Sequence, residues 1–366
     1  MSHHLSGRRC RYRYSALSRS CRSPRLPFQG SLIKTAVFSA RPYDERFLNE
    51  ALACSAEATD HEFVYFPATL GPKTVALARG FDAVCVFVND QLDTPALEAL
   101  HSMGVRAVLL RCAGFNNVDM AAATRLGLFV ARVPAYSPEA VAEHTLALIM
   151  TLNRHTHRAY NRVREGNFML DGLLGVTLHG KTAGVVGTGR IGLATARILR
   201  GLGCTVLGCD PFPTPAFEGL GRMVPLNVLL AESDIVTLHC PLTEATRHMI
   251  DARSLATMKP GAMLVNTSRG ALVDTTAVIG ALKTRQLGNL AIDVYEQESD
   301  LFFQDHSGQI IDDEVFQRLM SFPNVLVTGH QGFFTVEALQ EISATTLANL
   351  RHFIDKTPCP NLVAAP

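Results

Sequence analysis

The chain has 366 residues, enough for two domains of ordinary size, and 47% of them are hydrophobic, which is ample for buried cores. A formal net charge of +1 gives no reason to expect nucleic acid or a membrane surface as a partner, and no apolar run approaches the roughly 18–20 residues that cross a bilayer. The nine cysteines form no C-x-x-C pair and several stand inside apolar runs, which favours a reducing compartment over disulfides.

The first 32 residues differ in composition from the rest of the chain. Residues 1–30 contain seven arginines and many serines, and the first acidic residue is Asp44. Organelle transit segments are typically rich in arginine and serine and poor in acids. We interpret residues 1–32 as a disordered or targeting extension, with disorder favoured. A cytoplasmic protein is expected, or an organellar one if the extension is a transit segment.

From Thr35 onward, short apolar runs alternate with amphipathic stretches such as Thr94–Met103. The runs that predict strands before the first proline-rich break are Thr35–Ser39, Glu62–Phe66, Ala83–Val88, Arg106–Arg111 and Leu128–Val133. Strands that alternate with helices predict a parallel sheet covered on both faces. The loops that follow such strands gather at one edge, where ligands usually bind. The loop 111–117 is one of them.

Two prolines interrupt this pattern in the segment 133–138. They stop the strand, and Ser137 and Pro138 suit the N-cap and the first position of a helix. We predict one long helix from Glu139 to about Arg164. Its apolar positions cover more than a narrow stripe, so it is expected to be buried or at an interface and to mark the crossing between two domains.

The most informative stretch is an apolar run that ends in Gly187-x-Gly189-x-x-Gly192 and continues into a predicted helix. A second run, Thr205–Cys209, ends at Asp210. In such a unit the glycines permit a sharp turn, close approach of a pyrophosphate and close packing of helix on strand. The helix N-terminus attracts phosphate. Because Asp210 can accept hydrogen bonds from ribose hydroxyls and would repel a 2′-phosphate, the unit predicts NAD as the cofactor.

Further strands are predicted at Ile235–Cys240, Ala262–Ser268, Leu290–Tyr295 and Val325–Thr328. With the two strands of the glycine-turn unit they make six, enough for one doubly wound nucleotide-binding domain. A last helix is predicted from Val336 to about Ile354, and we expect it to return to the first sheet. The chain would then cross twice between two domains and leave a cleft between them.

Three kinds of side chain follow the predicted strands at the cofactor edge: Arg269, the carboxylates of the stretch 293–298, and His330. Arginine can pair with a carboxylate through two parallel hydrogen bonds. Histidine can exchange a proton with an alkoxide, and a carboxylate on its other ring nitrogen favours the protonated form. Hydride transfer between nicotinamide and a 2-oxo acid requires these groups.

Spacing alone leaves several choices open. Glu298 competes with Glu296 for the histidine, and a solvated acidic loop is the usual interpretation of such a run. His330 competes with twelve other histidines, among them His144 within a helix and His239 at the end of a strand. Arg269 taken alone would more often pair with a surface acid. No Ser/His/Asp set and no metal-ligand spacing competes with this site.

At these residues the chain closely resembles the D-isomer-specific 2-hydroxyacid dehydrogenases, and within them the bacterial fermentative D-lactate branch. The resemblance covers about Ile33 to the C-terminus. The matching segments are 111–119, 133–144, the glycine turn, 266–274 and 293–296, and the most specific are 298–303 and 328–331. Glu298 argues against the formate dehydrogenase branch, which carries glutamine there. Gly332 and Phe334 leave the preferred substrate side chain open.

The resemblance implies roles for individual residues. It places the catalytic residues at Arg269, Glu298 and His330. It places cofactor contacts at Gly187, Gly189, Arg190, Ile191, Gly192, Asp210, Cys240, Pro241, Thr267, Ser268, Arg269 and Asp293. Substrate contacts fall on the backbone of Ala113 and Gly114, on the side chain of Tyr136 and on Arg269. No metal is implied.

The resemblance also implies a fold and an activity. The fold class is α/β, with two doubly wound parallel-sheet domains: a flavodoxin-like substrate domain of residues 33–133 and 332–366, and a Rossmann NAD domain of residues 134–331. The activity is NAD-dependent reduction of pyruvate to D-lactate by a homodimer or homotetramer whose subunits meet at the long helix. Alternatives are another 2-oxo acid (glyoxylate, hydroxypyruvate or phenylpyruvate) or an NAD-sensing binding protein, since corepressors of this family keep the same three residues.

Overall fold

The computed structural model describes residues 32–55, 61–298 and 301–363. Within these ranges the chain forms two parallel β-sheets with helices packed against them, which confirms the predicted α/β class. The predicted extension lies outside the described residues except for Leu32, and so do residues 299 and 300 of the segment after Glu298. Over the same ranges we find no helix with the length and apolar character that a bilayer crossing requires.

The first sheet has five parallel strands in the order β2-β1-β3-β4-β5, which is the flavodoxin-like order. Its strands are β1 Ile33–Val37, β2 His61–Tyr65, β3 Ala83–Val86, β4 Ala107–Leu110 and β5 Phe129–Arg132. Its helices are α1 Pro42–Cys54, α2 Thr94–Ser102 and α3 Met120–Arg125, with a 3-10 turn at Val75–Ala78. The predicted strands were correct to within two residues at each end, because short apolar runs mark them in the sequence.

The second sheet has seven parallel strands in the order β12-β11-β10-β9-β6-β7-β8, the doubly wound order of a Rossmann domain. Its strands are β6 Thr182–Val186, β7 Thr205–Cys209, β8 Arg222–Met223, β9 Ile235–Leu238, β10 Ala262–Asn266, β11 Leu287–Ile292 and β12 Val325–Val327. Six strands were predicted, and the additional one is β8. It pairs with β7 over two residues at the sheet edge, too short to leave a hydrophobic pattern.

The helices that pack on the second sheet alternate with its strands. They are α6 Arg190–Gly201, α7 Leu226–Glu232, α8 Ala252–Thr257, α9 Thr275–Lys283 and α10 Glu314–Met320, with 3-10 turns at Pro215–Phe217 and Gly270–Leu272. Two buried clusters form on this sheet, one around Leu264 and Leu290 and one around Val185 and Val265. Because successive side chains of a strand point to opposite faces of the sheet, the two clusters contain different residues of the same strands.

The prediction of one long helix after Pro138 was wrong in one respect. The helix ends at Arg154 as α4 (Pro138–Arg154), and a second helix, α5 (Thr156–Arg164), follows at once. His155 separates them with a left-handed φ of 51°, which breaks the hydrogen-bond ladder without a proline or glycine signal. The start was correct: Pro138 is the first helical residue, and Ser137 Oγ accepts the Ala140 amide at 3.1 Å.

Two helices connect the sheets. Helix α4 packs against α6 and against strands β10 to β12 of the second sheet. The last helix, α11 (Val336–Ile354), returns to the first sheet as expected and packs against α1, β4 and β5. After it, Leu362 forms an antiparallel bridge with Ala131 at the β5 edge. The domain division at residues 133 and 331 stays a prediction.

Candidate active site

A cavity of about 460 Å³ lies where loops that follow strands of the two sheets face each other. Segments after β3, β4 and β5 form one side, and segments after β9, β10, β11 and β12 form the other. The predicted site residues in its wall are Ala113, Gly114, Tyr136, Ile191, Cys240, Pro241, Thr267, Ser268, Arg269, Asp293 and His330. Loops far apart in sequence therefore meet at one place, as parallel topology requires.

His330 follows β12 and is held by a carboxylate. Its Nδ1 lies 3.0 Å from Oε1 of Glu298, and both side chains are largely buried. The other oxygen of Glu298 accepts the Tyr295 amide at 3.1 Å, which fixes the carboxylate in turn. Within the part of the chain that the structure describes, no group bonds to Nε2 of His330. That nitrogen is therefore available for a ligand, and the histidine itself lines the cavity.

The competing carboxylate is occupied elsewhere. Oε1 of Glu296 lies 2.6 Å from Nε2 of His248, and its Oε2 accepts hydrogen bonds from the amide and the hydroxyl of Thr275 at 3.1 and 2.7 Å. Thr275 is the first residue of α9. Spacing alone could not choose between Glu296 and Glu298. The resemblance implied Glu298, and the structure places only Glu298 beside His330.

Arg269 follows β10 and lies against the loop after β4. Its Nη1 donates to the Ser268 carbonyl at 2.7 Å, which fixes the direction of the side chain. A Cβ added to Gly114 would lie only 2.6 Å from Nη2 of Arg269, so the glycine permits the guanidinium to approach the loop. Arg269 and His330 both line the cavity, which places a carboxylate-binding group and an acid–base group around one space.

In the glycine turn, two glycines lie where neighbouring backbone segments approach each other closely. Gly187 has φ +90°, and a Cβ there would lie 2.7 Å from the backbone at His239 and Cys240. A Cβ at Gly192 would overlap the carbonyl oxygen of Gly187. These two glycines therefore pack strand, turn and helix together.

The N-terminus of α6 fits a dinucleotide. Gly189 is the N-cap of α6, with no side-chain cap, and a Cβ on it would meet nothing within 4 Å. Arg190 and Ile191 begin the helix and, with Gly189, line a second cavity of about 260 Å³. Open space in front of uncapped helical amides is what a pyrophosphate needs.

Asp210 stands at the end of β7, beside the glycine turn. Its Oδ2 accepts the amide and hydroxyl of Thr188 at 2.7 and 3.1 Å, and its Oδ1 accepts the Phe212 amide at 2.8 Å. Because Oδ1 accepts only one of these hydrogen bonds, it keeps a lone pair for a further donor. The residue is thus fixed in place and still able to accept hydrogen bonds from a ribose.

The remaining predicted cofactor residues surround the same space. Ser268 donates through its hydroxyl to the Cys240 carbonyl at 2.6 Å, which joins the loops after β9 and β10. Thr267 Oγ1 lies 2.9 Å from Thr145 Oγ1 of α4. Together with Pro241 these residues form the wall of the cavity.

Asp293 has a role that sequence analysis missed. Its oxygens accept the amides of Gln331 and Gly332 at 2.9 and 2.8 Å, and Nε2 of His144 lies 3.3 Å away. Burial raises the pKa of Asp293, but hydrogen bonds from His144, Thr328 and Gln331 outweigh it and hold the pKa below its usual value. Asp293 therefore anchors the backbone directly after His330 as well as lining the cavity.

Two other titratable groups line the cavity. Burial raises the pKa of Tyr136 to about 12, so its hydroxyl stays protonated and can donate. Burial lowers the pKa of His239 to about 3, and its Nε2 lies 2.9 Å from the Thr237 hydroxyl. His239 is therefore neutral near pH 7 and is not the proton donor.

Fold and cavity together define an oxidoreductase that uses a nicotinamide dinucleotide. The model of the "D-isomer specific 2-hydroxyacid dehydrogenase, NAD binding domain" matches residues 146–332. The chain is 60% identical over 329 residues to 2-hydroxyacid dehydrogenase A of Aspergillus oryzae, covering 90% of this chain and 94% of that protein.

Solved structures agree. The apo-structure of D-lactate dehydrogenase from Escherichia coli is similar with a TM-score of 0.82 and 49% identity, covering 91% of this chain and 100% of that one. The pyruvate reductase of Chlamydomonas reinhardtii is similar with a TM-score of 0.84 and 45% identity, covering 90% and 99%. The chain belongs to the D-isomer-specific 2-hydroxyacid dehydrogenase family and is an NAD-dependent enzyme. The resemblance found in the sequence is thereby confirmed.

Proposed function

We propose that the enzyme reduces pyruvate to D-lactate with NADH. His330 is the acid–base group, Glu298 orients it, and Arg269 binds the substrate carboxylate. The observation that carries this proposal is the Glu298-bound imidazole of His330 in the same cavity as the Arg269 guanidinium. Similarity to a D-lactate dehydrogenase and to a pyruvate reductase supports this choice of substrate.

Proton transfer is assigned to Nε2 of His330. Because Glu298 accepts from Nδ1, the ring keeps one orientation and Nε2 is left for the substrate. In reduction, His330 gives its Nε2 proton to the carbonyl oxygen of the substrate, and in oxidation it takes a proton from the hydroxyl. The aromatic ring of Phe303 lies beside the imidazole, with its centroid 5.8 Å from that of His330.

The substrate carboxylate is assigned to Arg269 and the loop beside it. Its guanidinium offers a planar pair of donors, and the amides of Ala113 and Gly114 line the adjoining wall. The protonated hydroxyl of Tyr136 is a further donor in the same space. A 2-oxo acid bound in this way has its keto oxygen between arginine and histidine.

Residues on both sides of the glycine turn would hold NAD. Gly189, Arg190 and Ile191 at the start of α6 would hold the pyrophosphate, and Asp210 would accept hydrogen bonds from the adenosine ribose. The residues that would hold the nicotinamide end are Cys240, Pro241, Thr267, Ser268 and Asp293. When bound, the nicotinamide supplies the hydride that reduces the keto carbon.

We further propose that the enzyme is a homodimer or homotetramer. Large apolar side chains stand exposed along α5 and the segment after it, at Tyr160, Phe168, Leu170 and Leu174. Large apolar side chains that stand exposed this close together in the chain suit a contact between subunits. Light scattering after size-exclusion chromatography tests the proposal, and a monomer at micromolar concentration would refute it.

For the compartment we propose the cytoplasm. The seven cysteines in the described part of the chain are all free, as a reducing environment would leave them. Fusing residues 1–32 to a fluorescent protein tests whether this segment directs import into an organelle. Import of that fusion would replace the cytoplasmic assignment with the organellar one.

The decisive experiment is a steady-state panel of 2-oxo acids with NADH and NADPH side by side. We expect the largest kcat/KM with pyruvate and NADH, and D-lactate as the product. Chiral analysis that finds only L-lactate would overturn the stereochemistry. A larger kcat/KM for glyoxylate, hydroxypyruvate or phenylpyruvate would change the substrate, and an absence of turnover would favour an NAD-sensing protein.

A further inference from the structure

We propose that Arg132 is a positioning residue for the substrate, because its guanidinium fixes the peptide groups of the loop 113–115 in the orientation that receives the substrate carboxylate. The inference rests on the proposed function and adds to it a residue outside the predicted site. Arg132 is the last residue of β5 and aligns with Leu110, the last residue of β4. Its side chain can therefore reach the loop that follows β4.

The contact is specific. Nη1 of Arg132 donates to the carbonyl oxygen of Ala113 at 2.8 Å, and the guanidinium carbon lies 5.1 Å from the ring centroid of Phe115. The Gly114 carbonyl is held as well, by the Cys112 thiol at 3.3 Å. Two consecutive carbonyls of this loop thus have partners from the chain itself.

Fixed carbonyls also fix the amides. In a trans peptide the N–H points opposite to the C=O, and the chain has no cis peptide bond where it is described. The amides of Gly114 and Phe115 therefore point away from Arg132 and Cys112. Within residues 32–55, 61–298 and 301–363, no group accepts a hydrogen bond from the amide of Ala113, Gly114 or Phe115.

These amides lie close to a cation. A Cβ at Gly114 would be 2.6 Å from Nη2 of Arg269, so the loop backbone and this guanidinium are in direct contact. Amides without a protein acceptor beside a guanidinium form a site for a carboxylate. If Arg132 released the Ala113 carbonyl, the peptide group between Ala113 and Gly114 could rotate, and this site would lose its orientation.

Arg132 is itself held from behind. Its amide donates to the Asn361 carbonyl at 3.1 Å, and its carbonyl accepts from Nδ2 of Asn349 in α11 at 2.9 Å. The side chain of Asn361 also donates to Asn349 at 2.9 Å. The end of the chain therefore supports the substrate loop through Arg132.

The test compares Arg132→Met, Arg132→Gln and Arg132→Lys with the wild type and with Arg125→Met. Arg125 pairs with Glu98 on the surface, so its loss removes the same charge away from the cavity. For Arg132→Met we expect the KM for pyruvate to rise about tenfold, because a charge-assisted hydrogen bond is lost, while kcat falls less than about threefold. Arg132→Lys keeps the charge and one donor. Its KM for pyruvate should therefore lie about midway, on a logarithmic scale, between those of the wild type and Arg132→Met.

Two binding measurements separate positioning from misfolding and from the proposed function. The Kd of NADH should stay within about twofold of wild type, whereas the Kd of oxamate, the amide analogue of pyruvate, should rise about tenfold in Arg132→Met. An equal rise in the NADH Kd, or unchanged oxamate binding, overturns the inference.

Should Arg132→Met not fold, Arg132→Gln decides by the same criteria. If the wild type binds oxamate but does not reduce pyruvate, the proposed function fails while the oxamate comparison still decides the role of Arg132.

Discussion

Two histidine–glutamate pairs lie at the same short stretch of chain, and they differ in what surrounds them. Glu298 holds His330 at 3.0 Å in the wall of the cavity, whereas Glu296 holds His248 at 2.6 Å outside it. Glu296 also accepts from the first residue of α9, so its carboxylate stabilises that helix start. A histidine beside a carboxylate is therefore not by itself a catalytic unit.

The difference lies in the free nitrogen and its surroundings. Nε2 of His330 faces the cavity that also holds Arg269, while Nε2 of His248 is the nitrogen already bound to Glu296. The Glu298 pair can thus serve a substrate, and the Glu296 pair ties the loop around His248 to the start of α9. Substitutions in the Glu298 pair should therefore reduce turnover, whereas substitution of Glu296 should reduce stability.

The largest effect is expected for His330→Ala, which removes the proton donor. The kcat for pyruvate reduction should fall about 10²–10⁴-fold, the usual contribution of general acid catalysis. The Kd of NADH should be unchanged, which fluorescence titration measures. Near-normal turnover, or a loss of NADH binding that accounts for the lost turnover, would contradict the role assigned to His330.

Arg269→Lys comes next, because lysine keeps the charge but has no planar pair of donors. We expect kcat/KM for pyruvate to fall about 30–100-fold, as for the loss of one charge-assisted hydrogen bond of about 2–3 kcal/mol. Steady-state kinetics measures this directly. Near-normal kcat/KM would mean that the substrate carboxylate binds elsewhere.

Glu298→Gln keeps the shape of the side chain and removes its charge. We expect kcat to fall about 10–50-fold, because the imidazole loses a charge-assisted partner, with a melting temperature close to that of the wild type. Kinetics and thermal unfolding on the same preparation check both halves. Wild-type kcat in this variant would remove the distinction between the two pairs.

Glu296→Gln is the matched control two residues away. Its kcat should stay within about twofold, and the melting temperature should fall by about 2–4 °C, since a weakened helix cap costs about 1 kcal/mol. A loss of turnover as large as that of Glu298→Gln, without a loss of stability, would show that Glu296 acts in catalysis.

The smallest effect concerns His239, the other histidine that lines the cavity. Burial lowers its pKa to about 3, so its imidazole is neutral near pH 7. His239→Gln should therefore leave the pH at which pyruvate reduction declines unchanged, even if KM changes. A displaced pH profile, measured from pH 5 to 9, would mean that this residue does titrate during the reaction.

Much of the fold follows from local sequence. Short apolar runs located the five strands of the first sheet, and the glycine turn with Asp210 located the cofactor half. The break at His155 was missed because no glycine or proline marks it, and strand β8 was missed because two residues are too few to form a periodic pattern. Such features depend on packing between elements rather than on the residues at the break.

The sequence by itself determined the α/β architecture, the dinucleotide turn and the family, because each depends on residues close together in the chain. The resemblance already assigned Glu298 to His330, but only the tertiary structure showed that Glu296 binds His248, that Asp293 anchors the loop after His330, and that Arg132 holds the Ala113 carbonyl. These contacts join loops from different strands, and a hydrogen bond requires about 3 Å between its atoms. Spacing along a sequence does not specify the distance between atoms of different loops. The three-dimensional path of the backbone does.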